Sequence, residues 1–207
     1  MEELVESFCL WMGFDGTHEE LSNIKAAPLL EEMLSSSSSR EIFLKQCDES
    51  CAIFFCGGDQ VKISQVIFGV DGLKQHLTDL YDRGIPFAGT SAGCAIMSAT
   101  MITGEGSFDV IKKGAVEVIE GLGLVKTAIL DQHFIKRMRL NRLLSVLLDS
   151  KEVYGIGVDE GMAVAIVDDV HCEVLGAGVC VLIEKSPDDE AKGMTIKFLE
   201  GGDVFGI

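Results

Sequence analysis

The chain has 207 residues with 17 basic and 33 acidic side chains, and its formal net charge is −16. This acidic balance argues against a nucleic-acid-binding protein, which needs a cationic surface. With 47% hydrophobic and 24% charged residues, the composition is typical of a folded domain and excludes a mostly disordered polymer. The length favours a single domain over residues 1–207, and the longest apolar runs are too short to cross a bilayer.

The seven cysteines are an odd number and form no Cys-x-x-Cys pair. We therefore expect neither a disulfide framework nor a metal site. No basic segment followed by an apolar stretch opens the sequence, which argues against a signal peptide. A cytoplasmic protein without metal or other cofactor is the expectation.

Helices and strands are predicted to alternate along most of the chain. Residues 1–33 have weak helical spacing, and a serine run at residues 35–39 predicts a loop. Helices are predicted at residues 40–47, 71–83, 92–101 and 134–148, and strands at residues 51–56, 85–88, 124–130, 155–158, 162–167, 173–183 and 194–199. This order predicts an α/β domain with a mixed sheet.

The strongest chemical signal is Gly89-Thr-Ser91-Ala-Gly93, a Gly-x-Ser-x-Gly pattern between a predicted strand and a predicted helix. Flanking glycines allow the sharp turn of a nucleophile elbow, and the helix N-terminus offers amide groups to an oxyanion. Taken alone, the pattern also fits a serine that caps a helix N-terminus. The context of strand, turn and helix favours a nucleophile at Ser91.

A serine nucleophile needs a base and a group that orients the base. His133 follows a predicted strand and is the candidate base, although an isolated histidine is more often structural. Four basic side chains come directly after it, at Lys136, Arg137, Arg139 and Arg142. The arginines suit two-point capture of carboxylates, and the alternative is a solvated face of an amphipathic helix.

Two further segments follow predicted strands. Gly57 and Gly58 offer amides for an oxyanion hole together with Ala92, and Gln60 could hold a substrate amide. Asp159 and Glu160 are adjacent carboxylates, either of which could orient His133 or bind a cation. A plain turn is the alternative for both segments.

Five motifs follow one another along the chain. They are Phe55-Cys-Gly-Gly-Asp-Gln60, Gly89-Thr-Ser-Ala-Gly93, Gly121-Leu-Gly-Leu124, Asp131-Gln-His-Phe134 followed by the three arginines, and Gly155-x-Gly-x-Asp-Glu160. Over about residues 50–207 the chain resembles the cyanophycinases, in which these motifs stand in the same order. The resemblance implies a class I glutamine-amidotransferase-like sandwich with a mixed, mostly parallel sheet flanked by helices. It also implies a serine exopeptidase that cleaves cyanophycin into β-Asp-Arg dipeptides.

The same resemblance implies roles for individual residues. Ser91 resembles the nucleophile and His133 its base, while either Glu160 or Asp109 resembles the third member of a triad. Pocket positions that recognise the aspartyl and arginyl parts of the substrate are matched by Gln60, Asp131, Gln132, Arg137, Arg139 and Arg142.

The sequence departs from the family at its beginning. Family members usually open with a strand and a Gly-Gly turn, whereas this chain begins with helix-like sequence. We therefore expect an atypical or truncated opening over residues 1–50 and a sheet in which that strand is missing. Cys94 stands where an alanine is common.

Other functions stay open on the sequence alone. They are an inactive truncated homologue that binds a partner, an isoaspartyl or aspartyl dipeptidase, and an α/β-hydrolase esterase, which usually has its histidine near the C-terminus. Cys94 is a further candidate nucleophile, but it lies inside the predicted helix. The expected partners are a peptide or cyanophycin-like polymer and, as an assembly, a homodimer, with neither nucleic acid nor membrane.

Overall fold

The computed structural model describes residue 27, residues 36–186 and residues 193–207. The chain divides into two units, residues 1–50 and residues 51–207, and each is described by itself. The helical spacing predicted over residues 1–33 and the strand predicted to be missing concern residues that lie outside the described part, apart from residue 27. The single domain over residues 1–207 stays a prediction.

Helix α1 (Ser37–Asp48) belongs to the first unit and begins inside the serine run. The loop predicted over residues 35–39 is therefore wrong from Ser37 onward. Serine is favoured at helix N-termini, so several serines in the first turn are compatible with a helix start there. The predicted helix over residues 40–47 is confirmed and is longer at its N-terminus.

The second unit begins with two short parallel strands separated by two helices. Strand β1 (Ile53–Phe55) pairs with β2 (Phe87–Gly89), and helices α2 (Gln60–Gly69) and α3 (Leu73–Asp82) connect them. Helix α3 was predicted from three leucines at helical spacing, all of which are buried. Because the two strands run in the same direction, the segments that follow them leave the pair at the same end.

After β2 the chain forms a four-residue helix, α4 (Ala92–Ala95). It continues into an antiparallel pair, β3 (Thr100–Gly106) and β4 (Val116–Glu120). The helix predicted over residues 92–101 is therefore too long. Met101 contributes its apolar side chain to the core from a strand and not from a helix.

The central sheet has four strands in the order β10-β9-β6-β5. The strands are β5 (Ala128–Gln132), β6 (Tyr154–Val158), β9 (Val179–Lys185) and β10 (Met194–Glu200). Strands β5 and β6 are parallel, and the other two pairings are antiparallel. Helix α5 (Leu140–Leu147) connects β5 to β6.

A three-stranded antiparallel sheet consists of β7 (Met162–Val167), β8 (His171–Gly176) and β11 (Val204–Gly206). The single strand predicted over residues 173–183 is in fact the end of β8 and the start of β9. Gly176 has φ 120°, a conformation open to glycine, and there the chain leaves β8.

The prediction of a mostly parallel sheet is wrong for the described residues. Their strands form seven pairings, of which two are parallel and five antiparallel. The physical reason lies in the connections, because short turns such as the one between β7 and β8 join only antiparallel neighbours.

The hydrophobic core lies on both faces of the central sheet. In β5, Ile129 belongs to one buried cluster, together with Phe134 and helix α5, while Ala128 and Leu130 belong to another. Side chains alternate across a strand, so the two clusters occupy opposite faces. The predicted α/β class with a mixed sheet is confirmed. Within the described residues, no helix has the length and hydrophobicity of a membrane-spanning segment.

Candidate active site

Ser91 occupies a sharp turn between β2 and α4. Its φ of 52° and ψ of −117° are uncommon for a residue other than glycine. The backbone is tightly packed on both sides: a Cβ on Gly89 would lie 2.2 Å from the carbonyl oxygen of Gly93, and a Cβ on Gly93 would lie 2.1 Å from that of Phe55. Both glycines are therefore required by close backbone approach. The side chain of Ser91 makes no helix-capping hydrogen bond, so the capping alternative is not supported.

His133 connects Ser91 to a carboxylate. Its Nε2 lies 3.0 Å from the Oγ of Ser91, and its Nδ1 lies 3.1 Å from the Oε1 of Glu160. Strands β5 and β6 are parallel and end in register at Gln132 and Val158, so the residues that follow them emerge side by side. The resulting series of serine, histidine and carboxylate is the arrangement in which a histidine can take the serine proton.

The sequence offers two carboxylates, Asp109 and Glu160, as the third member of this series. Asp109 is exposed in the connection between β3 and β4. No hydrogen bond or ion pair among the described residues joins it to His133. Glu160, in contrast, contacts the ring, and the side chain of His133 is 24% exposed. The geometry therefore favours Glu160.

Gly57 lies beside the elbow, as the parallel pairing of β1 and β2 requires. A Cβ on Gly57 would lie 3.4 Å from the Cβ and 3.9 Å from the Oγ of Ser91. Gly58 has φ 144°, which a glycine adopts readily. Ala92 is buried at the first position of α4. Of the predicted oxyanion-hole residues, Gly57 is thus close to Ser91 in space and Ala92 follows Ser91 in the chain.

Gln60 uses its amide nitrogen within the fold. Nε2 donates hydrogen bonds to the carbonyl oxygens of Ile102 at 3.1 Å and Thr103 at 2.9 Å. This attaches the start of α2 to β3. The amide nitrogen is thereby engaged within the fold, and the substrate contact predicted for Gln60 stays a prediction.

Two of the predicted pocket residues bind each other in the interior. Arg142 donates through Nε to the Oδ2 of Asp131 at 2.7 Å and through Nη2 to the Oδ1. The side chains of Arg142 and Asp131 are 3% and 1% exposed. The sequence predicts substrate contacts for both residues, whereas in the structure both side chains are buried and bind each other.

Arg139 is tied to the end of β5. Its Nη1 donates to the carbonyl oxygen and to the Oε1 of Gln132, each at 2.6 Å, and lies 3.6 Å from the Oδ1 of Asp131. Burial, followed by the nearby cation of Arg142, lowers the pKa of Arg139 to about 10. The guanidinium therefore stays charged at neutral pH.

The basic segment begins as turns and not as a helix. Helix α5 starts at Leu140, so the helix predicted over residues 134–148 is wrong in its first part. The backbone N–H of Arg137 donates to the carbonyl oxygen of His133 at 3.0 Å, which forms a turn next to the candidate base. The side chain of Arg137 is exposed, and of the three arginines it is the one that faces solvent.

The segment that follows the elbow contains a buried serine that the sequence does not single out. Ser98 is fully buried, and its Oγ accepts a hydrogen bond from the backbone N–H of Leu130 at 2.9 Å, which joins the segment after the elbow to β5. A single serine in a predicted helix gives no signal of this contact.

Cys94 is buried as well, and burial raises the pKa of its thiol to about 12, which argues against a thiolate nucleophile.

A family model matches residues 19–173, a span that contains Ser91, His133 and Glu160. The chain belongs to peptidase family S51. The resemblance to cyanophycinases is confirmed by curated relatives. The cyanophycinase of Geminocystis herdmanii is 29% identical over 162 residues, which cover 78% of this chain and 58% of the relative. The cyanophycinase of Trichormus variabilis is 34% identical over 137 residues, which cover 66% and 46%.

The S51 chain spans about half the length of the curated relatives it matches. A solved structure, that of a peptidase from an acI-B1 Actinobacterium, superimposes with a TM-score of 0.60 at 21% identity. The match covers 81% of this chain and 64% of that protein. It supports the fold of the S51 chain.

Proposed function

We propose that this S51 chain is a serine exopeptidase that cleaves cyanophycin or related β-aspartyl-arginine peptides to β-Asp-Arg dipeptides. The observation that carries the proposal is the hydrogen-bonded series from Ser91 through His133 to Glu160. Membership of family S51 supports peptidase chemistry, and the names of the matched relatives support the substrate class.

The geometry supports a two-step acyl transfer. Ser91 Oγ attacks the carbonyl carbon of the scissile amide while His133 Nε2 takes the hydroxyl proton, which it then gives to the leaving amine. Glu160 holds the Nδ1–H and stabilises the imidazolium. A water molecule then loses a proton to His133 and attacks the acyl ester, and the proton returns to Ser91.

Stabilisation of the tetrahedral oxyanion is proposed for the backbone amides of Gly57, Gly58 and Ala92. The closeness of Gly57 to Ser91 supports this role. Preorganised amides of this kind lower the barrier because they are already oriented when negative charge develops.

Recognition of the substrate is proposed for the arginines that remain accessible. Arg137 is exposed beside His133, and the side chain of Arg139 is 14% exposed. Guanidinium groups bind carboxylates at two points, which suits an aspartyl substrate. Gln132 contributes by holding Arg139.

The same proposal includes the type of fold, the number of domains, the location and the assembly of the protein. The burial of the central sheet on both faces supports the class I glutamine-amidotransferase-like sandwich. A single domain, a cytoplasmic location and a homodimeric assembly complete it.

Mass spectrometry of the products tests the proposal. Purified protein is incubated with cyanophycin and, separately, with β-Asp-Arg, with Ser91→Ala as control. Release of β-Asp-Arg from the polymer by the parent alone is expected. Cleavage of only the dipeptide would replace the proposal by a dipeptidase, and turnover of neither would leave a binding protein.

A further inference from the structure

The three residues at the end of β6 hold the turn that carries His133. Each of them contacts a different position of that turn. The contacts are Val158 O with the backbone N–H of Phe134 at 3.3 Å, Asp159 Oδ1 with the backbone N–H of Lys136 at 3.0 Å, and Glu160 Oε1 with Nδ1 of His133 at 3.1 Å. The turn is thus attached at its buried start, at its exposed middle and at the imidazole ring.

The backbone of this turn needs such attachment. His133 has φ 48° and Met138 has φ 51°, and both are non-glycine residues in the left-handed region. Such conformations persist when the surrounding structure fixes them. On the buried side the ring of Phe134 fills the space beside Gly157, where an added Cβ would lie 2.3 Å from the ring. On the exposed side, the contact from the chain after β6 to the turn backbone is the carboxylate of Asp159.

We propose that Asp159 is a positioning residue for the catalytic histidine, an inference that rests on the proposed function. Its carboxylate fixes the amide of Lys136 and so keeps the Nε2 of His133 directed at Ser91. The two adjacent carboxylates thus bind different groups: Glu160 holds the imidazole ring, and Asp159 holds the backbone of the turn. Oδ1 of Asp159 accepts a hydrogen bond from an amide of the protein, which supports a role within the fold for this carboxylate.

Three substitutions of Asp159 test whether the turn needs a hydrogen-bond acceptor at this position or only a side chain of similar size or charge. Asp159→Asn keeps a carbonyl oxygen at the same distance, Asp159→Ala removes it, and Asp159→Glu displaces it by one methylene. The matched control is Asp203→Ala, since Asp203 accepts a backbone hydrogen bond from Glu200 at 2.8 Å in the turn between β10 and β11.

The readout is the rate at which a fluorophosphonate modifies Ser91, followed by intact mass, with Tm as a measure of folding. In this reaction the Oγ–P bond forms, the P–F bond breaks with loss of fluoride, and His133 takes the hydroxyl proton. We expect a loss of about tenfold to a hundredfold for Asp159→Ala, since small displacements of catalytic groups cost this much. Asp159→Asn and Asp203→Ala should react within about threefold of the parent, and Asp159→Glu should be slow.

A parent rate for Asp159→Ala, or an equal loss for Asp159→Asn, would overturn the inference alone. If Asp159→Ala does not fold, the parent rate in folded Asp159→Glu would overturn it. Failure of the parent to be modified at Ser91 would overturn the proposed function and, with it, this inference.

Discussion

Arg142 and Asp131 form a two-point ion pair in the interior of the protein. Asp131 lies near the end of β5, two residues before His133 in the chain, and Arg142 lies in helix α5. Taking two charges out of water is costly, and here the cost is offset by mutual attraction and well-aligned hydrogen bonds. Removal of one partner would leave the other charge buried without compensation.

We expect Arg142→Met to lower the free energy of unfolding by about 3–5 kcal/mol, because it leaves the Asp131 carboxylate buried in the core without a cationic partner. Urea denaturation measures the change. The exposed Arg137→Met is the matched control and should stay within about 0.5 kcal/mol of the parent. Equal small effects of both substitutions would show that the buried pair contributes nothing to stability.

Ser91→Ala and His133→Ala should each abolish nearly all hydrolysis of cyanophycin while leaving the Tm unchanged. Both residues act in one proton-transfer step, so the double variant should be no slower than the single variants. Steady-state kinetics of the three variants checks this. A double variant that loses the product of the two single factors would contradict a shared step.

Glu160→Gln should reduce kcat by about a hundredfold or more, since the imidazolium loses its charged partner. Asp109→Asn should leave kcat within about twofold, because the exposed Asp109 has no described contact with His133. Parallel measurement of kcat decides between them. A large loss for Asp109→Asn with little loss for Glu160→Gln would reverse the assignment.

Arg139→Lys should lower kcat/KM on β-aspartyl-arginine peptides about tenfold, on the order of 1.4 kcal/mol. Lysine keeps the charge but lacks the planar fork that holds Gln132 and leaves other nitrogens for a carboxylate. Steady-state kinetics provides the measurement. A value within twofold of the parent would reject Arg139 as a two-point ligand.

Iodoacetamide at pH 8 should modify the exposed Cys51 and Cys56 and spare Cys94. Burial raises the pKa of Cys94 to about 12, so almost none of it is thiolate at this pH. Peptide mass mapping gives the extent of labelling at each cysteine. Reaction of Cys94 at the rate of the exposed thiols would contradict its burial.

The local features of the site follow from residues that are neighbours in the chain. The turn at Ser91 follows from Gly89 and Gly93, because only glycines permit such close backbone contacts. Likewise, a polar residue directly after a buried strand predicts a functional side chain at a sheet end, and His133 was found in this way. These inferences need only neighbouring residues and elementary sterics.

Contacts between residues far apart in the chain depend instead on tertiary packing. His133 lies 42 positions from Ser91 and 27 from Glu160, and nothing local excluded Asp109 as the third member. The spacing of apolar residues also predicts a helix over residues 134–139, whereas in the structure tertiary contacts to the end of β6 hold a turn there. Charge pattern cannot tell a buried arginine from a solvated one, because burial depends on what packs around each side chain. Arg142 and Arg137 carry the same group five residues apart, yet one is enclosed with Asp131 and the other faces water.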